Sequence, residues 1–142
     1  MNPVIRSVLA VIVGMLVAFV LIALVQTIGM RVYPPPPMQT GDIESLRAAM
    51  ARIPLGALLF VILSYTVGSL AGGWVAARLA PNGKMTHAMI VAALLFGAGL
   101  MNLMTIPHPA WFWVASSAVY WLAAWSGAKA AGASGSEAAA SA

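Results

Sequence analysis

Charged side chains fall in short bursts along this chain and leave long apolar stretches between them. Arg6 and Arg31 enclose 24 uncharged residues, Arg52 and Arg78 enclose 25, and Lys84 and Lys129 enclose 44. Pro107 and Pro109 divide the last stretch in two. A hydrocarbon core of about 30 Å takes about 20 helical residues to cross. Helix is required there because every backbone amide must be satisfied within the segment. The pattern predicts four transmembrane helices, at about 7–30, 53–77, 85–106 and 110–128.

The loops follow from their turn residues. Tyr33 runs into Pro34, Pro35, Pro36 and Pro37, a sequence that favours stiff polyproline II. After Gly41, Asp42 and Glu44 put negative charge in the first turn of a short helix, about 42–52, with Arg47 and Arg52 towards its end, as the helix dipole favours. Ile43, Leu46, Met50 and Ile53 form one apolar stripe, which predicts an amphipathic helix lying at the membrane interface. Pro54 suits the start of the second span. Pro81-Asn82-Gly83-Lys84 is a tight turn and Pro107-His108-Pro109 a tighter one. Residues 131–142 are Ala, Gly and Ser with Glu137, and have almost nothing to bury, so a disordered tail is expected. The first apolar stretch is too long for the core of a signal peptide and no A-x-A site follows it, so an uncleaved anchor is expected. The fold class is therefore an all-α membrane protein: one domain over residues 1–130, a four-transmembrane-helix bundle with an interfacial helix between spans one and two.

Composition agrees. The chain of 142 residues is 62% hydrophobic with a mean hydropathy of +0.95, and 7% of it is charged, against about 25% in a soluble domain. The net charge of +4 is spread along the chain without a cluster, which points to anionic lipid as the partner and away from nucleic acid. With no cysteine, disulfides, Cys-based metal sites and thiol catalysis are excluded.

Four spans put both termini on one side. That side carries Arg6, Arg78, Lys84 and Lys129; the other carries Arg31, Arg47 and Arg52. Counting positive charge predicts both termini in the cytoplasm. Tyr33, Trp111, Phe112 and Trp113 would then lie at the outer headgroup level and Trp74 and Trp125 at the inner one, as aromatic belts; an aromatic ligand cage is the alternative.

Small residues recur every four positions: Ser64, Gly68, Gly72 and Ala76 in span two, beside Ser69 and Gly73; Ala10, Gly14 and Ala18 in span one; Ala93 and Gly97 in span three; Ala123 and Gly127 in span four. Such stripes let backbones approach closely, which is what holds helices together in lipid. The stripe of span two is expected against span one or span three, or in a homo-oligomer contact.

No Asp, Glu, Lys or Arg falls within a span, which argues against a proton-coupled pump or voltage sensor. The uncharged polar residues gather towards the outer side. Gln26, Tyr65, Asn102 and Ser117, with Arg31 and His108 just above, form a candidate ligand-binding cluster; Ser64, Thr66, Thr105 and Ser116 lie nearby. Two readings compete. These groups either hydrogen-bond between helices, at about 0.6 kcal/mol a pair, or line a polar cavity lidded by the proline loop. His87 and His108 lack ligand-spaced partners, and Asp42, Glu44 and Glu137 are the only acids. No metal, cofactor or catalytic site is therefore expected. Hydrolase, zincin and phosphate-loop motifs are absent, and the nine methionines read as packing.

Three stretches resemble a group of small bacterial four-helix inner-membrane proteins with no known activity. They are Arg31-Val32-Tyr33 running into the prolines, Gly72-Gly73-Trp74-Val75-Ala76-Ala77-Arg78-Leu79-Ala80, and Ile106-Pro107-His108-Pro109-Ala110-Trp111-Phe112-Trp113. The resemblance implies a bacterial inner membrane and the same four-span layout. On function, the leading expectation is a non-enzymatic protein acting through helix contacts, as a homo-oligomer or an accessory subunit of a larger membrane complex. The alternative is a passive binder or facilitator of a small polar or lipid-like molecule at the outer cluster.

Overall fold

The computed structural model describes residues 2–36 and 42–134. Five helices follow one another: α1 (Pro3–Val32), α2 (Ile43–Arg52), α3 (Leu55–Leu79), α4 (Lys84–Thr105) and α5 (Ala110–Ala130). No strand occurs among the described residues. Pro37, Gly41 and Glu137 lie outside them.

Local sequence sets the helix ends. Asn2 caps α1 by accepting from the Val4 amide at 2.9 Å, with Pro3 in the first turn, where a missing N–H costs nothing. Asp42 caps α2, accepting from the amides of Glu44 and Ser45. Three helices stop because a proline disfavours helical backbone in the residue before it. Tyr33, Ala80 and Ile106 end α1, α3 and α4, with ψ of 82°, 135° and 127°, and precede Pro34, Pro81 and Pro107. Pro54, expected in the first turn of its helix, stands one position earlier, as the cap of α3. Gly83, at φ +55°, makes the left-handed turn into α4.

α1, α3 and α4 are long and apolar enough to cross a membrane. Their outer surfaces are also apolar: Leu16 is 59% exposed, Leu24 56% and Met101 72%, which suits a lipid surround. α5 has comparable length, but Trp, Tyr and Ser side chains lower its hydropathy.

The four long helices pack around α3, which touches α1, α4 and α5, while α1 and α5 do not meet. Small residues set the spacing. Gly14 of α1 faces Gly72 and Ala76 of α3, and Gly68 of α3 faces Ala18 and Ile22 of α1. The stripe of span two thus lies against span one, antiparallel to it. The second stripe of α3 meets α5, Gly73 lying against Ala124 and Gly127 against the Leu70 carbonyl. Ser64, Gly68 and Gly72 are all buried there.

Gly97 departs from its expected packing role: no atom lies within 4 Å of where its Cβ would stand, and Ala93 is exposed beside it. α4 instead turns Ala88, Ala92 and Gly99 inward, Gly99 lying under the Tyr120 ring. Phe112, expected in an aromatic belt, is fully buried in the core. His87 is buried, with its Nδ1 2.9 Å from the Gly83 carbonyl oxygen.

At the end that holds both termini, Arg6 donates to the Leu79 carbonyl at 3.1 Å. Arg78 and Lys129 lie over the rings of Trp74 and Trp125. Residues 131–133, expected in the tail, fold back on the bundle. Gly132, at φ +84°, turns the chain back so that Ala131 and Ala133 are buried with Ala77, Met85 and Ala88. Lys84 donates to the Ala131 carbonyl at 3.2 Å. Residues 135–142 of the expected tail lie outside the described residues.

Candidate functional site

Where α1 ends, α3 begins and α4 ends, the long helices leave a cavity of about 320 Å³. Deeper in the bundle Gly14, Gly68 and Gly72 draw α1 and α3 together. Towards the loop end their place on α3 is taken by Val61, Phe60, Ala57 and Pro54, which line the cavity. Tyr33 reaches across to Gly56, whose missing Cβ makes room for its phenol, and meets Phe60 edge-on with centroids 5.9 Å apart. Pro34, Pro35 and Pro36 continue the wall, and Met50 and Ile53 close it where α2 joins α3. The apolar stripe of α2 is therefore partly spent on the cavity. Ile43, at its far end, is 52% exposed.

Four of the six candidate residues line this space: Gln26, Tyr65, Asn102 and His108. Gln26 donates through Nε2 to Ser64 Oγ at 3.2 Å, and Ser64 donates to the Val61 carbonyl at 2.6 Å. Ser64, expected both in the packing stripe and beside the polar cluster, thereby orients Gln26. Asn102 donates to the Tyr65 hydroxyl at 3.4 Å, a weak bond at that length. Tyr65 in turn packs against Tyr120, with ring centroids 5.0 Å apart.

His108 sits between its two prolines, stacked on Phe112 with centroids 4.7 Å apart and planes 12° apart. Its Nδ1 lies 2.8 Å from the Ile106 carbonyl oxygen. Burial pushes its pKa below the usual 6.5, and the Ile106 carbonyl opposes this in part. The ring therefore faces the cavity as the neutral base.

The other two candidates lie elsewhere. Arg31 is exposed on α1 and does not line the cavity. Ser117 opens onto a separate shallow groove with Phe96, Trp113 and Trp121. Its neighbour Ser116 is the buried one and donates to the Phe112 carbonyl at 2.6 Å. Adjacent residues on a helix differ by about 100° in direction, so the sequence could not choose between the two serines.

Sequence reasoning missed the apolar walls, chiefly Phe60, Met50 and Ile53. The signal for the last two was the stripe of α2, which the sequence reading assigned to the membrane interface alone. Among the described residues, no side chain lining the cavity carries an acid or a fixed positive charge. No group of three His, Cys, Asp or Glu side chains converges among the described residues. The chemistry on offer is neutral hydrogen bonding at one end and apolar contact at the other. No family model, curated protein or solved structure matches the chain.

Proposed function

We propose that this chain is a four-span protein of a bacterial inner membrane, with both termini cytoplasmic, that passively binds a small amphipathic membrane molecule. In this reading α5 is the fourth span, anchored by Trp111 and Trp113 at one headgroup level and Trp125 at the other. α2 lies at the outer interface, its charged face in water and Met50 and Ile53 over the cavity. Membrane lipids are then the nearest source of an occupant.

The observation that carries the reading is the cavity itself. Its volume of about 320 Å³ falls within the range of small-molecule sites, and its apolar walls with a few convergent polar groups match their usual make-up. The stripe Ser64-Gly68-Gly72-Ala76, which motivated an oligomeric scaffold, is occupied within the chain by α1.

Native mass spectrometry of protein extracted with its lipids tests the proposal. Wild type is expected to retain a bound small molecule that Ala57→Trp, filling the cavity, expels. The same bound mass in both proteins would defeat the reading.

The exposed Ala93–Gly97 face of α4 favours a second reading, a helix-packing subunit or homo-oligomer. The chain has no cysteine, so Gly97→Cys reports directly. Oxidative dimers in the membrane support that reading, and monomers under the same oxidation oppose it.

A further inference from the structure

The polar side chains that line the cavity leave three acceptors open. Ser64 spends its only proton on the Val61 carbonyl, so towards Gln26 it acts only as an acceptor. Gln26 must therefore turn its Nε2 to Ser64, which leaves its Oε1 as an acceptor on the other side. A carbonyl oxygen can only accept, so the short contact to Ile106 places the proton of neutral His108 on Nδ1. Nε2 is then the ring's lone pair. Asn102 gives its Nδ2 to Tyr65, leaving Oδ1. None of these three acceptors receives a hydrogen bond among the described residues.

Charge narrows the choice of occupant. With no Lys or Arg lining the cavity, a phosphate or carboxylate would lose its water without gaining a counter-charge. With no Asp or Glu there, an ammonium would do the same. Three open acceptors, with the second amide proton of Gln26 and of Asn102 beside them, call for a neutral group that both donates and accepts, carried on a hydrocarbon chain that meets Phe60, Met50 and Ile53.

We propose that the occupant of the cavity, on the binding reading above, is an uncharged lipid alcohol whose hydroxyl donates to the floor formed by Gln26, Asn102 and His108. The hydrocarbon lies along the walls made by α2 and the start of α3. The same site selects against anionic phospholipid, because no Lys or Arg among the described lining residues offsets the lost hydration of its phosphate.

Three photoactivatable probes with one diazirine-bearing dodecyl chain test this: the alcohol, its methyl ether and its phosphate monoester. Each is offered to the full-length protein in nanodiscs, and labelling is read by intact mass and peptide mapping. The alcohol is expected to label the segments around Gly29 and Phe60 at least about tenfold more than either analogue. That ratio is the scale of one net hydrogen bond in a partly buried site, about 1.4 kcal/mol. Gln26→Leu and Asn102→Leu should bring the alcohol down towards the ether. The wild-type comparison stands even if these variants fold poorly. Equal labelling by all three probes, abolished by Ala57→Trp, would overturn the alcohol assignment and leave lipid binding intact. Labelling that Ala57→Trp leaves unchanged would overturn the cavity as a binding site as well.

Discussion

Gly14 and Gly72 are reciprocal. A Cβ on Gly14 would lie 2.7 Å from the Gly72 carbonyl oxygen, and a Cβ on Gly72 would lie 2.7 Å from the Gly14 carbonyl oxygen. Both obstacles are backbone, so neither can swing aside. Gly14→Ala or Gly72→Ala must separate α1 from α3, and overpacking of this kind costs about 1–3 kcal/mol. Gly72→Ile should cost more. Gly97→Ala has open space, and should leave stability unchanged or raise it by up to about 1 kcal/mol through helix propensity. Thermal melting of the purified variants in detergent checks the contrast. Equal melting of the Gly14 and Gly97 variants would mean that α1 and α3 are not in backbone contact.

His108 should make stability depend on pH. Burial holds its folded-state pKa below the 6.5 of the unfolded chain. Between those two values the unfolded chain binds more protons, so stability rises with pH. The contribution is complete above about 6.5 and is lost as pH falls through the folded value. His108→Phe keeps the stack on Phe112 and removes the titration. Melting followed from about pH 8 down to about pH 4.5 should fall more steeply for wild type than for this variant. Parallel curves would show that His108 is accessible to protons without cost.

The end of the folded domain can be located by truncation. Ala131 and Ala133 are buried, and the Ala133 amide donates back to the Ala128 carbonyl at 3.0 Å around left-handed Gly132. A chain ending at Ser134 should melt like the full chain. One ending at Ala130 loses that closure and the Lys84–Ala131 bond, and should be less stable by about 1–2 kcal/mol. Gly132→Ala, strained at positive φ, should fall between them. Equal stability of the two truncations would place the boundary at Ala130.

Four spans with cytoplasmic termini predict that a reporter active only in the cytoplasm works at either end and fails within the loop before α2. Charge balance motivates this, with four basic residues on the terminus side and three on the other. Activity in that loop, or at one terminus only, would require a different number of spans or the opposite orientation.

The sequence by itself determined where helices begin and end. Prolines 34, 81 and 107 disfavour helical backbone in the residue before each, Asp42 caps α2, and the charge-free stretches locate the long helices, although α1, at 30 residues, takes in Arg6 and Arg31 and outruns its 24-residue stretch. Those are local effects, carried within a few residues. It also brought out Gln26, Tyr65, Asn102 and His108, because uncharged polar residues are conspicuous in apolar helices.

Facing was decided only by tertiary structure. In a soluble helix, water marks the outside and an apolar stripe the inside. Here both surfaces are apolar, since lipid is as apolar as a core. Nothing local distinguishes Gly97 from Gly99, or Ser117 from Ser116. Phe112 could equally have met headgroups, yet it is buried beneath His108. The cavity is a tertiary product in the same sense. Its walls come from α1, α2, α3, α4 and the two proline-bearing loops, and no single segment contains them.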